Sequence, residues 1–307
     1  MSQRIAAIDC GTNSIRLLVS DVGDGVKSDV TRQMRIVRLG QGVDQTGVLA
    51  ADAVERTMES VREYAQMIDA LDVDTIRFCA TSAARDAANA EEFSGAVEDV
   101  LGVRPVVLSG DREAQSSFQG AVHEFDFESS MLIDIGGGSS ELIAGRRHTA
   151  TWSTSVNIGS VRMTERYLGD DPPTVSQVSE CIDVIDAELT PVLEQITPVE
   201  ALIGVAGTVT TIAAHVLDLP SYDPEALHRA RLPIGDVTGA CLHMAQLSIA
   251  DRRALPFMHP GRADVIGGGA LILDRLITQI PLATEELVIS EHDILDGIVL
   301  DLAGGEC

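Results

Sequence analysis

Asp134 and Glu141 flank a run of small residues, Asp134-Ile135-Gly136-Gly137-Gly138-Ser139-Ser140-Glu141. Folded as a tight turn between two strands, this spacing brings both carboxylates towards one point. A pair of hard oxygen donors there suits Mg²⁺ (or Mn²⁺), which keeps several waters and takes one or two protein carboxylates plus phosphate oxygens. The plainer alternative for Glu141 is an exposed strand residue with no ligand. The segment also occurs earlier in the chain: Ala7-Ile8-Asp9-Cys10-Gly11-Thr12-Asn13-Ser14-Ile15-Arg16-Leu17-Leu18 matches Leu132-Ile133-Asp134-Ile135-Gly136-Gly137-Gly138-Ser139-Ser140-Glu141-Leu142-Ile143 in register. Asp9 is thus the counterpart of Asp134 and could assist a cation through water. Such turns expose backbone N–H groups, an arrangement suited to phosphate. Asn13, Ser14, Gly137, Gly138 and Ser139 are the candidate cradle, joined by Gly207 and Thr208 where a strand runs into a helix N-terminus. Either turn alone reads equally well as an ordinary hairpin; that reading explains the duplication poorly.

Two further charged residues stand near small-residue turns. Arg85 follows a strand and the turn Thr81-Ser82-Ala83-Ala84, and is the candidate cation over a transferring phosphoryl group. Arg16 is a second candidate for phosphate, although its hairpin position also fits a solvated face or a contact between halves. Glu113 opens a helix after Ser109-Gly110-Asp111, a position that the helix dipole alone favours for an acid.

The elements that must position these groups follow from periodicity. Residues 4–9 and 14–21 read as strands about the first turn, and alternation resumes over 26–39. Val54, Met58, Val61, Ala65 and Ile68 recur at spacings of three and four, predicting a helix over 52–71 with one buried face. Strands follow at 75–79 and 105–108, with a helix between them opened by Asn89 and Glu92 as a capping pair and stopped at Gly102. Ser109 caps the helix carrying Glu113. The second half repeats this order, with strands at 131–135, 141–145 and 149–156, helices at 160–168 and 176–193, and strand 201–205. Helices at 236–246 and 262–279, strand 287–289 and a terminal helix from 293 close the chain.

Composition limits what such a protein does. Among 307 residues, 47 acidic against 22 basic side chains give a net charge of −25, which opposes non-specific binding to nucleic acid or anionic membrane. Lys27 is the single lysine, so anion recognition falls to arginine. No apolar run has the roughly 18 to 20 residues of a membrane span, and a cytoplasmic protein is expected. Five cysteines without CxxC spacing indicate reduced thiols. The histidines show no HxxxH pattern and are given no chemistry.

The duplicated Asp-Gly hairpins resemble the phosphate loops of the actin-like ATPase superfamily. More specifically, Asp9-Cys10-Gly11-Thr12-Asn13-Ser14, Ala80-Thr81-Ser82-Ala83-Ala84-Arg85, Ser109-Gly110-Asp111-Arg112-Glu113-Ala114, Asp134-Ile135-Gly136-Gly137-Gly138-Ser139 and Arg262-Ala263-Asp264-Val265-Ile266 resemble the Ppx/GppA phosphatase family. These pieces stand in the family's order over nearly the whole chain. The resemblance implies an α/β protein with a duplicated actin-like (ribonuclease H-like) ATPase fold. Its domains would be 1–124, with the helix of 293–307 packing back on it, and 125–292, with a cleft between them. It places the family's water-activating glutamate at Glu113, and implies an exopolyphosphatase acting on inorganic polyphosphate, short chains in particular, and possible homodimers.

Three other activities compete. Guanosine pentaphosphate 5′-phosphohydrolysis would use the same loops and base. An actin-like kinase would want an adenosine pocket, for which Gly204-Val205-Ala206-Gly207-Thr208 is a candidate. A sensor would bind polyphosphate or an alarmone without turnover. A Rossmann reading of Gly136-Gly137-Gly138 fails because residues 141–144 read as a strand, where that fingerprint needs a helix.

Overall fold

The computed structural model describes residues 2–23, 26–85 and 87–304. It contains two compact α/β units, Met1–Gly120 with Ile294–Cys307, and Ala121–Asp293. Its strands are β1 (Gln3–Cys10), β2 (Ser14–Gly23), β3 (Val26–Ile36), β4 (Thr75–Ala80), β5 (Val106–Val107), β6 (Ser130–Ile135), β7 (Ser140–Arg146), β8 (Thr149–Val156), β9 (Ala201–Val205), β10 (Arg231–Pro233) and β11 (Glu286–Ile289).

In the first unit the sheet order is β3-β2-β1-β4-β5. β1–β2–β3 is an antiparallel meander, and β4 joins β1 in parallel. Side chains alternate across β1, as period two requires. Ala6, Ile8 and Cys10 face a core made with helices Ala51–Ala70 and Ala90–Leu101, whereas Ile5 and Ala7 face helix Ile294–Ala303. A sheet covered on both sides explains why β1 is apolar almost throughout. Met58, Val61 and Ile68 are buried on the long helix as its period predicts, and Tyr64 on the same face donates its hydroxyl to Ile15 O at 3.1 Å.

The second unit repeats the scheme and adds to it: β10-β11-β9-β6-β7-β8, with β6–β7–β8 antiparallel and β9 parallel to β6. Its core packs Met131, Ile133 and Ile135 against helices Ala206–Val216, Ile234–Gln246 and Ile266–Gln279.

Two local expectations are corrected. Asn89 does not cap its helix; its amide instead brackets Leu49, accepting from Leu49 N at 2.8 Å and donating to Leu49 O at 3.1 Å. The helix expected from 262 begins at Ile266, because the chain from His259 to Val265 turns instead, with Arg262 N donating to His259 O and Val265 N to Arg262 O. Ser109 does cap, accepting from Arg112 N at 3.3 Å, and Gly102 ends the preceding helix at φ +71°. Cys10, Cys79, Cys181 and Cys241 are buried free thiols, and Cys307 lies outside the described residues.

Candidate active site

The two hairpins close in the same way. Gly11 N donates to Ser14 O at 2.9 Å, and Gly136 N donates to Ser139 O at 3.0 Å. In each, the carbonyls of the turn are taken by a following segment. Asn13 O accepts from Val37 N and Arg38 N, and Thr12 O from Gly40 N. Gly137 O accepts from Val161 N and Arg162 N, and Gly136 O from Ser160 N, at the start of helix Ser160–Tyr167. The carbonyls of both turns are thus taken by donors of the segment that follows. Arg162 Nε holds Gly138 O at 2.7 Å. The close approach needs Gly159, where a Cβ would stand 2.4 Å from Gly137 O.

Register places the charged residues. Asp134 lies directly opposite Glu141 across β6 and β7, on one face of the sheet. Glu141 Oε1 accepts from Ser139 Oγ at 2.7 Å and Ser155 Oγ at 2.8 Å, fixing a partly buried carboxylate beside the turn. Asp9 lies opposite Arg16 in the first hairpin. There Arg16 donates to Asp9 Oδ2 from Nε at 3.0 Å and Nη2 at 2.6 Å.

Arg85 and Glu113 come together in the first unit. Arg85 ends the short helix Ser82–Arg85 after β4, with its Nη1 2.6 Å from Leu108 O and 3.5 Å from Glu113 Oε2. Glu113 is in the first turn of helix Gly110–Val122. Both side chains are about one-third exposed, open enough to meet a substrate.

In the second unit β9 runs into helix Ala206–Val216 at Ala206, whose φ is +65°. Gly207 and the buried Thr208 are therefore in its first turn, where backbone N–H groups favour an anion. A residue to which the sequence reading gives no role joins them: the guanidinium of Arg262 lies against Gly207, with Cζ 2.1 Å from where a Cβ would be. Its Nη1 reaches Thr211 Oγ1 at 3.4 Å. The signal was present in the quoted Arg262-Ala263-Asp264 motif, but pairing with a residue 55 positions earlier is not visible in a linear pattern. Ser155, which steadies Glu141 from β8, was missed for the same reason.

Comparison with known proteins agrees with this fold. Residues 18–306 match the model of the Ppx/GppA phosphatase family. The chain is 44% identical to a Mycobacterium tuberculosis protein named exopolyphosphatase 2, over 98% of this chain and 99% of that one. It is 30% identical to the guanosine-5′-triphosphate,3′-diphosphate pyrophosphatase of Photobacterium profundum, over 80% of this chain and 52% of the relative. Among solved structures, the Aquifex aeolicus member of the same family is 28% identical and superposes with a TM-score of 0.88, covering 100% of this chain and 99% of the other.

Proposed function

As the chain belongs to the Ppx/GppA phosphatase family, we propose that it is an exopolyphosphatase, releasing terminal orthophosphate from inorganic polyphosphate, short chains in particular. The observation that carries this reading is Asp134 set opposite Glu141 beside a glycine turn whose carbonyls are already bonded. Two carboxylates at one point call for a cation, and the adjoining amides suit phosphate oxygens. The donors at this pair are all oxygen, including the serine hydroxyls, which fits a hard ion such as Mg²⁺ or Mn²⁺. When bound, that ion neutralises charge on the phosphate oxygens.

The chain's own groups supply the rest. Asn13, Ser14, Gly137, Gly138, Ser139, Gly207 and Thr208 hold phosphate oxygens through N–H, amide and hydroxyl donors. Glu113 accepts a proton from water as its oxygen attacks the terminal phosphorus. The bridging P–O bond breaks, orthophosphate departs with the water oxygen, and the shortened chain keeps the bridging oxygen. Arg85, 3.5 Å from Glu113, offers its guanidinium to the transferring group.

Hydrolysis of guanosine pentaphosphate is the second reading, favoured by the likeness to the Photobacterium pyrophosphatase. The full-length match to exopolyphosphatase 2 places polyphosphate first. Among the described residues no helix is long and apolar enough to cross a membrane. A homodimer is its assembly, which light scattering tests; nucleic acid is not a partner of so acidic a chain.

Phosphate release with Mg²⁺ from short polyphosphate, long polyphosphate, guanosine pentaphosphate and ATP tests the assignment, with Glu113→Gln as control. Release from polyphosphate that disappears in the variant is expected. Turnover of guanosine pentaphosphate alone supports the second reading, and no turnover of any substrate leaves a sensor.

A further inference from the structure

The histidines form no ligand pattern in sequence, yet three of them gather within the second unit. His123 follows helix Gly110–Val122, His228 follows helix Pro224–Leu227, and His292 lies just beyond β11. Ser290 fastens the first and last of these segments together. Its Oγ donates to Ala121 O at 2.9 Å and accepts from His292 N at 3.2 Å. The His123 and His292 rings are consequently stacked, with centroids 4.9 Å apart, and His228 and His292 are 4.3 Å apart. One ligand atom from each of His123, Glu124 and His292 lies within 4.8 Å of the other two.

Hydrogen bonding fixes which atoms face the centre. Glu291 N donates to His228 Nδ1 at 3.2 Å, and a backbone N–H can only donate. His228 Nδ1 is therefore the bare nitrogen of a neutral ring, and Nε2 carries the proton that it gives to Glu124 Oε2 at 2.8 Å. With Oε2 held, Glu124 Oε1 is directed to His123 Nε2 at 3.9 Å. Ligands of a tetrahedral Zn²⁺ stand about 3.4 Å apart, given metal–ligand distances near 2.1 Å, so small side-chain rotations close the set.

We propose that His123, Glu124 and His292 form a site for a borderline divalent cation of the zinc class, with His228 orienting the carboxylate. Two imidazole nitrogens and one carboxylate oxygen suit Zn²⁺, Co²⁺ or Ni²⁺, whereas Mg²⁺ prefers all-oxygen donors. A donor N–H on the far side of a ligating carboxylate is the usual support for such a site. The site joins the segment that leads into the second unit to the one that leads out of it.

The test is titration of the full-length, metal-free protein with Zn²⁺ by calorimetry and with Co²⁺ by visible absorption. One equivalent giving nitrogen-ligand Co²⁺ bands is expected, retained in Asp134→Asn/Glu141→Gln and lost in His123→Ala/His292→Ala. His228→Ala should keep the stoichiometry and weaken Zn²⁺ binding about 10- to 100-fold. If the double alanine variant does not fold, Glu124→Gln and His292→Gln, checked by circular dichroism without metal, give the same readout at nearly constant volume. Unchanged Co²⁺ bands and stoichiometry in the His123/His292 variants, or no equivalent bound by the unaltered protein, would overturn the proposal.

Discussion

Arg16 and Glu141 occupy the same position in two copies of one hairpin, each directly across the strands from an aspartate. In the first copy the aspartate faces a guanidinium at 2.6 Å, and the pair balances its own charge. In the second it faces another carboxylate, that of Glu141. One difference in a duplicated motif thus sets a guanidinium opposite Asp9 and a carboxylate opposite Asp134.

Arg16→Ala should accordingly destabilise the protein more than Glu141→Gln. The Asp9 side chain is 6% exposed, and removal of its partner leaves a nearly buried carboxylate, at a cost of about 3 kcal/mol. Glu141→Gln keeps an acceptor for Ser139 and Ser155, and should cost under about 1 kcal/mol while abolishing the response of phosphate release to Mg²⁺. Urea denaturation and a Mg²⁺ titration of activity measure the two effects. Equal stabilities, or an unchanged Mg²⁺ response, would contradict the division of roles.

Glu113→Gln should lower kcat by about 10² to 10⁴ while leaving the melting curve in place. Glu113 is one-third exposed, and the amide oxygen can still face Arg85. A kcat within twofold of the unaltered enzyme would remove the general-base role.

Gly207→Ala should damage substrate binding more than folding. The added methyl meets the guanidinium of Arg262, the far end of a flexible side chain that can swing away. The folded state then survives, but the arginine leaves the helix N-terminus. KM for polyphosphate should rise by about tenfold or more, as lost charge-assisted hydrogen bonds imply, and Arg262→Ala should do the same. A Gly207→Ala enzyme with normal KM would show that Arg262 has no part in binding.

The sequence makes legible whatever rests on local period or local repetition. The duplicated turns, β1 and β2, and the face of helix Ala51–Ala70 carrying Met58, Val61 and Ile68 are all read from neighbours in the chain. Long-range chemistry is hidden. Asn89 has the composition of a cap, yet Leu49 offers it two backbone partners in another segment. Arg262 depends on Gly207, and the three histidines converge from positions 123, 228 and 292. Glu113 is an intermediate case: its helix and its cap are local, whereas its approach to Arg85 depends on β4 and its following turn.

The cluster around Asp296 should set the acid and alkaline limits of stability. Asp296 is fully buried and paired with Lys27 at 2.8 Å and Arg32 at 2.8 Å, and Lys27 also binds Asp29 at 2.6 Å. Desolvation raises the Asp29 carboxyl, but Lys27 and Arg32 outweigh it and hold the group below its ordinary 3.8. Desolvation lowers the Lys27 ammonium, but Asp296 and Asp29 outweigh it and hold the group above 10.5. A depressed carboxyl contributes stability that is present above 3.8 and lost as pH falls through its folded value. A raised ammonium contributes stability that is present below 10.5 and lost as pH rises through its folded value. Asp29→Asn should therefore flatten the decline of urea midpoint with pH below 3.8, and Lys27→Met should flatten the decline above 10.5. Unaltered slopes in both variants would show that these groups titrate alike in the folded and unfolded chains.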